Sequence, residues 1–141
     1  MTHAKTIDRI IALHGETGAA PTRRDWESIM ALPDGTPVLI LNLLKFIPDT
    51  GVLAYGKFVG KVGPAFRAAG GRQIFYGPAQ SCFGVHGATD WDAAILSEYP
   101  SASALAQMWL HPGFVEANKS RMDGLENSLV MVIRRDQARF P

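Results

Sequence analysis

The chain has 141 residues, 47% of them hydrophobic and 19% charged, with a formal net charge of +1. That suits one globular domain large enough to bury a core without disulfides or metals. It excludes the broad basic face that nucleic acid or an anionic membrane would require. The single cysteine, Cys82, permits no internal disulfide, and beside Phe83 it reads as a small buried hydrophobe. The first residues, "MTHAKTIDRIIALHGE", lack the long apolar core and small-residue cleavage site of a signal peptide. The longest apolar run, Val38 to Ile47, is far short of a membrane span. The expectation is a cytoplasmic protein.

Residues 1–36 read as a helical extension. Ile7, Ile10, Ile11 and His14 follow helical spacing, and Gly15 stands where a C′ glycine would. Thr22 and Asp25 have capping-box spacing ahead of a short stripe of Trp26, Ile29 and Met30. "PDGTP" at 33–37 stops it, and the main domain is expected over 37–141.

Val38 to Phe46 predicts the first strand, and "PDTG" at 48–51 a turn with glycine supplying the positive φ. Tyr55, Phe58, Val59, Val62, Phe66 and Ala69 make a helical stripe, with a kink expected at Gly63-Pro64. "RQIFY" at 72–76 predicts the second strand, and "CFGVHG" either continues it or forms a hairpin arm. Trp91 to Tyr99 predicts the third. Ser101 is a candidate N-cap for a helix marked by Ala102, Leu105, Ala106 and Trp109. His111-Pro112-Gly113 interrupts that helix. Phe114 to Met122 reads as a further short helix, Asp123-Gly124 as a turn, and Ser128 to Arg134 as the last strand. The order β-α-β-β-α-β predicts an α+β, ferredoxin-like antiparallel sheet with helices on one face.

Such a sheet should alternate apolar and polar residues, and the first strand does not. Val38, Ile40, Leu44 and Phe46 share one face with Asn42, while Leu39, Leu41 and Leu43 share the other and end at Lys45. The last strand repeats the pattern, Leu129, Met131 and Ile133 against Val130 and Val132. Helices cover one face only. The other is expected to meet a second copy, closing a barrel between two sheets; the alternative is cover from the N-terminal helices. Lys45 can snorkel out of a strand end. Leu39, Leu41 and Leu43 are therefore expected beneath the helices, and Asn42 on the face toward the partner. There Asn42 either meets a pocket or hydrogen-bonds a neighbour and fixes register, because an unpaired buried amide costs about 1–3 kcal/mol.

The segments "PVLILNLLKF", "AYGKFVGKVGPAFRAAGGR" and "WDAAILSEYPSASALAQMWLHPGF" resemble domain-of-unknown-function family 1330, within the dimeric α/β-barrel superfamily. The resemblance runs from about Pro37 to Arg134. It rests on an Asn inside the first strand, a Gly-Gly-Arg after the first core helix and a Tyr-Pro-Ser before the second. It implies a ferredoxin-like subunit in a two-fold dimer. The wider superfamily holds cofactor-free monooxygenases, isomerases, haem-using enzymes and non-enzymatic members, so fold alone selects no activity.

Among candidate site residues, His111 at a helix end can titrate near neutral pH and is the candidate acid/base group. Asn42 is expected to orient a ligand, with Tyr76, Trp91 and Tyr99 as aromatic walls; Trp109 is a further aromatic candidate. Arg121 and Arg72 can hold a carboxylate or phosphate in bidentate fashion, or serve in surface ion pairs. His86 and Asp90 lie in a loop. With His3, His14 and His111 they make no metal-binding spacing, so no metal is expected. The chain carries no GxGxxG, P-loop or G-x-S-x-G, and no cofactor is expected. The resulting expectation is a homodimer that binds a small organic molecule, either as a cofactor-independent enzyme or as a non-catalytic structural module.

Overall fold

The structure is a computed structural model that describes residues 2–141; residue 1 of the expected extension lies outside them. Nine principal elements follow in order: α1 (His3–His14), α2 (Arg23–Met30), β1 (Val38–Phe46), α3 (Gly51–Ala68), β2 (Arg72–Pro78), β3 (Ala93–Tyr99), α4 (Ala102–Leu110), α5 (Pro112–Asn118) and β4 (Leu125–Arg134). The four strands form one antiparallel sheet in the order β2-β3-β1-β4. This is the ferredoxin-like arrangement, with its two longest strands paired at the centre and edge.

Local signals act where the residues place them. The Thr22 side chain accepts from the Asp25 N–H at 3.2 Å, and Asp25 accepts from the Thr22 N–H at 2.8 Å, which closes the capping box of α2. Ser101 accepts from the Ala104 N–H at 3.0 Å at the start of α4. Gly15, at φ 74°, ends α1 and donates to the Ile11 carbonyl at 2.8 Å.

Several expectations are corrected. Val38, Ile40 and Leu44 join the core beneath the helices, and Asn42 shares that face; Leu41 and Leu43 lie on the open side. Both parities of β1 are apolar, so alternation could not choose between them. The choice follows from cross-strand partners. Lys45, on the open parity, stands 3.6 Å from Asp92 in an ion pair at the sheet's end rather than extending from a covered face. The N-terminal helices do not cover the open face, because α1 and α2 pack on α4 in the same layer as the other helices. Helix α3 runs as one element through Pro64. Strand β3 starts at Ala93, and residues 79–92 form a loop holding one isolated Val85–Gly87 bridge. The positive φ of the 48–51 turn belongs to Asp49, at 69°, while Gly51 opens α3. The expected helix from Phe114 to Met122 stops at Asn118, and a 3-10 turn (Arg121–Gly124) follows.

Two glycines seat that turn. A Cβ on Gly51 would stand 2.6 Å from the Gly124 carbonyl oxygen, and one on Gly124 would stand 2.6 Å from the Gly51 carbonyl oxygen. Backbone meets backbone here, and Ile47 donates its N–H to the same Gly124 oxygen at 3.0 Å. Only glycine lets the start of α3 and the 3-10 turn approach so closely.

The helix layer is tied by His14. Its Nε2 lies 2.7 Å from the Trp109 carbonyl oxygen, and its Nδ1 lies 3.0 Å from the Asn118 amide nitrogen. A carbonyl can only accept and an amide nitrogen only donates. The neutral ring therefore carries its proton on Nε2. The ring also packs edge-on to Trp109 at 4.8 Å. Desolvation lowers the His14 pKa, opposed in part by the Trp109 hydrogen bond.

Gly51→Ala is expected to cost about 1–3 kcal/mol, since the clash is with backbone that must shift, and denaturant titration measures it. A lowered folded pKa means the unfolded chain binds more protons as pH falls through the His14 range. Stability is therefore full above about pH 6.5 and declines below it. Thermal melts between pH 7.5 and 5.5 should show this fall, and His14→Gln should flatten it.

Candidate functional site

Between the helix layer and the sheet lies a cavity of about 210 Å³. The floor comes from the helix-facing positions of the sheet: Ile40 and Asn42 of β1, Gln73 of β2, Ile95, Ser97 and Tyr99 of β3, and Val130 and Val132 of β4. The register sets them side by side. Ser97 is opposite both Ile40 and Gln73, and Asn42 is opposite both Ile95 and Val130. The roof is Tyr55, Phe58, Val59, Val62 and Phe66, which are the apolar stripe of α3. Leu105, Met108 and Trp109 of α4 and Phe114 of α5 close one side.

The N-terminal extension supplies the remaining wall. Ala19 and Pro21 of the loop before α2, with Trp26 and Ile29 of α2, line the cavity. The Trp26 ring meets Trp109 edge-on at 5.6 Å. An adjoining groove, shared through Ala19, Pro21, Ile29, Val130 and Val132, extends outward past Gly18 and Glu126.

Few polar groups enter this apolar space. Asn42 makes no side-chain hydrogen bond among the described residues, and it opens on the cavity. Ser97 is buried beside it. Tyr99 donates its hydroxyl to the Met108 sulfur at 3.2 Å, a weak acceptor. Arg121 is 7% exposed, lines the cavity, and forms no ion pair among the described residues. Its Nε is buried without a hydrogen-bond partner. Its guanidinium carbon lies 6.0 Å from the centre of the Phe58 ring, an edge-of-range cation–π contact. Burial pulls the Arg121 pKa below its ordinary value, with Tyr55 and Tyr99 acting in the opposite sense. Burial pushes both tyrosine hydroxyls up, and the arginine charge offsets part of that. At neutral pH the site therefore holds one positive charge beside two neutral phenols.

The structure brings Asn42, Tyr99, Arg121 and Trp109 together and leaves four other expected residues elsewhere. Tyr76 is 52% exposed on β2, at the sheet edge. Trp91 lies before β3, near Phe75, Cys82 and Phe83 on the open side. His111 caps α5, its Nδ1 accepting from the Gly113 N–H at 3.0 Å, and it does not line the cavity. His111 is at once the C-cap of α4, the helix end expected for it, and the N-cap of α5. Arg72 pairs with Glu98 at 2.7 Å on the surface. Sequence reasoning passed over Tyr55, Gln73 and Ser97. Ser97 did carry a signal, a lone hydroxyl on the same strand parity as Ala93, Ile95 and Tyr99.

Among the described residues no group of three His, Cys, Asp or Glu side chains could hold a metal ion, and no helix is long and apolar enough to cross a membrane.

No protein-family model matches the chain, and no curated protein is similar to it in sequence. Solved structures are similar. The RPA0582 protein of unknown function from Rhodopseudomonas palustris has a TM-score of 0.75 at 28% identity, over 89% of this chain and 100% of that one. A DABB-family protein with a ferredoxin-like fold from Mesorhizobium loti has a TM-score of 0.53 at 14% identity, over 69% of this chain and 94% of that one. SnoaB, a cofactor-independent oxygenase from Streptomyces nogalater, has a TM-score of 0.52 at 11% identity, over 75% of this chain and 96% of that one. The latter two likenesses are of fold.

The Asn42 amide has no protein partner to lose. Asn42→Leu is therefore expected to leave unfolding free energy unchanged or raise it by up to about 1 kcal/mol in ligand-free protein. The midpoint of a urea titration measures it.

Proposed function

We propose that the protein is a homodimer that binds a small organic molecule in the cavity of each subunit. The observation that supports binding is Asn42: a polar side chain in an apolar cavity, making no side-chain hydrogen bond within the chain. The half-buried amide is free to hydrogen-bond what enters the cavity, and Arg121, lining the same space, has a buried Nε with no partner. Apolar walls with a few convergent polar groups are the usual form of a small-molecule site.

Support for the dimer comes from the open sheet face. Phe75, Leu129 and Met131 are 45%, 42% and 49% exposed there, beside Leu41, Leu43 and Leu96. Fully burying each such side chain gains roughly 1.5–3 kcal/mol, and a two-fold partner presents the same patch in return. Membership of family 1330, on the segments from Pro37 to Arg134, is part of the same proposal.

If the site performs chemistry, it does so as a cofactor-independent enzyme, the class of the SnoaB oxygenase that shares the fold. His111 has no part in such chemistry, since it caps α5 away from the cavity. A non-catalytic homodimeric module accounts equally for the open face. It leaves Asn42 and the cavity without a purpose.

Native mass spectrometry of the purified protein tests the proposal. Two chains with a small adduct are expected. Met131→Glu should yield monomers, because it sets a charge in each half of the apolar interface. Asn42→Leu should keep the dimer and lose the adduct. A bare wild-type monomer would sink the dimer, and an adduct unaffected by Asn42→Leu would sink the role of that residue.

A further inference from the structure

Resting on the ligand-binding reading above, we propose that the cavity takes a flat monocarboxylate of roughly eight to ten non-hydrogen atoms, whose carboxylate is received by Arg121. Arg121 is the one charged side chain among the residues lining the cavity. It is more than nine-tenths buried, unpaired, and has an unsatisfied Nε. A buried charge is ordinarily paired. Here the groups that act on its charge are the phenols of Tyr55 and Tyr99, which carry no charge at neutral pH. The missing partner is an anion, and the planar guanidinium fork matches a carboxylate in bidentate geometry.

One guanidinium compensates one negative charge. A phosphate dianion would bring a second charge into a space lined mostly by apolar side chains and with no second cation. The ligand is therefore singly charged. Its size follows from volume. A protein cavity of about 150 Å³ holds benzene, with six heavy atoms, so 210 Å³ holds about eight by proportion, and the adjoining groove leaves room for one or two more. Its shape follows from the walls, since Trp26, Phe58, Phe66 and Trp109 surround the space with ring surfaces that suit a flat apolar body. Gln73, Ser97 and Asn42, adjacent through the sheet register, offer neutral hydrogen bonds to one further uncharged oxygen. The expected class is an aromatic or unsaturated acid bearing a hydroxyl or carbonyl group.

Trp26 and Trp109 line the cavity and report on it through intrinsic fluorescence. The probes are matched acid and amide pairs, benzoate with benzamide and 4-hydroxybenzoate with 4-hydroxybenzamide, and phenyl phosphate as the dianion. Wild-type protein should bind each acid about tenfold or more tighter than its amide, and phenyl phosphate more weakly than benzoate. Arg121→Met should abolish the preference for acids while binding the amides about as wild type does. It should also melt no lower than wild type without ligand, because it removes an uncompensated buried charge. Arg121→Lys serves if the Met variant does not fold. It should weaken acid binding about tenfold through loss of the fork, with amides unaffected.

Amides bound as tightly as acids would overturn the carboxylate assignment and leave the cavity reading standing. An acid preference that survives Arg121→Met would overturn the role of Arg121. No response to any probe would overturn both this proposal and the ligand-binding reading beneath it.

Discussion

A sheet with two apolar faces and helices for only one of them is the constraint on which this molecule is built. All helices, including the two that precede the first strand, lie on the same side. One face thus becomes a closed core with a cavity in it. The other keeps Phe75, Leu129 and Met131 near half exposure. The ion pairs of Glu98 with Arg72 and Arg135, at 2.7 and 3.3 Å, bound one end of that face, and Lys45 with Asp92 bounds the other. An apolar patch with a charged rim is the usual anatomy of a protein interface.

Within the covered side, polar groups sit where packing alone would place none. Three are on the sheet floor, and Arg121 comes from the 3-10 turn after α5. That turn is held by the Gly51–Gly124 contact, so the placement of a charge in the cavity depends on two residues with no side chains. Unpaired polar groups weaken a fold. Their gathering in one cavity is what the ligand-binding proposal rests on.

The two N-terminal helices are part of this arrangement rather than an appendage to it. α1 is tied to α4 and α5 through His14, and α2 carries Trp26 into the cavity wall. A ferredoxin-like core without them would leave Trp109 and the cavity open on that side. The extension narrows the space.

Sequence by itself determined the element order, the caps at Thr22 and Ser101, the C′ glycine at 15, and hence the fold class. Each of those depends on residues close together in the chain, whose local preferences act before tertiary packing. It also marked Asn42 as out of keeping with its strand, and offered Tyr99 and Arg121 as candidates for the same site. It could not say which face of β1 lies beneath the helices, because both parities are apolar and alternation carries no information there. It misplaced His111, Tyr76 and Trp91, because whether a polar or aromatic side chain reaches a cavity depends on strand register and edge position. It passed over Tyr55, which in one dimension is one aromatic of a helical stripe. Only the tertiary structure decided that Tyr55, Ser97 and Arg121 meet, since they come from three elements widely separated in the chain. Their convergence is set by cross-strand register and by one close backbone approach, and neither is written in local sequence.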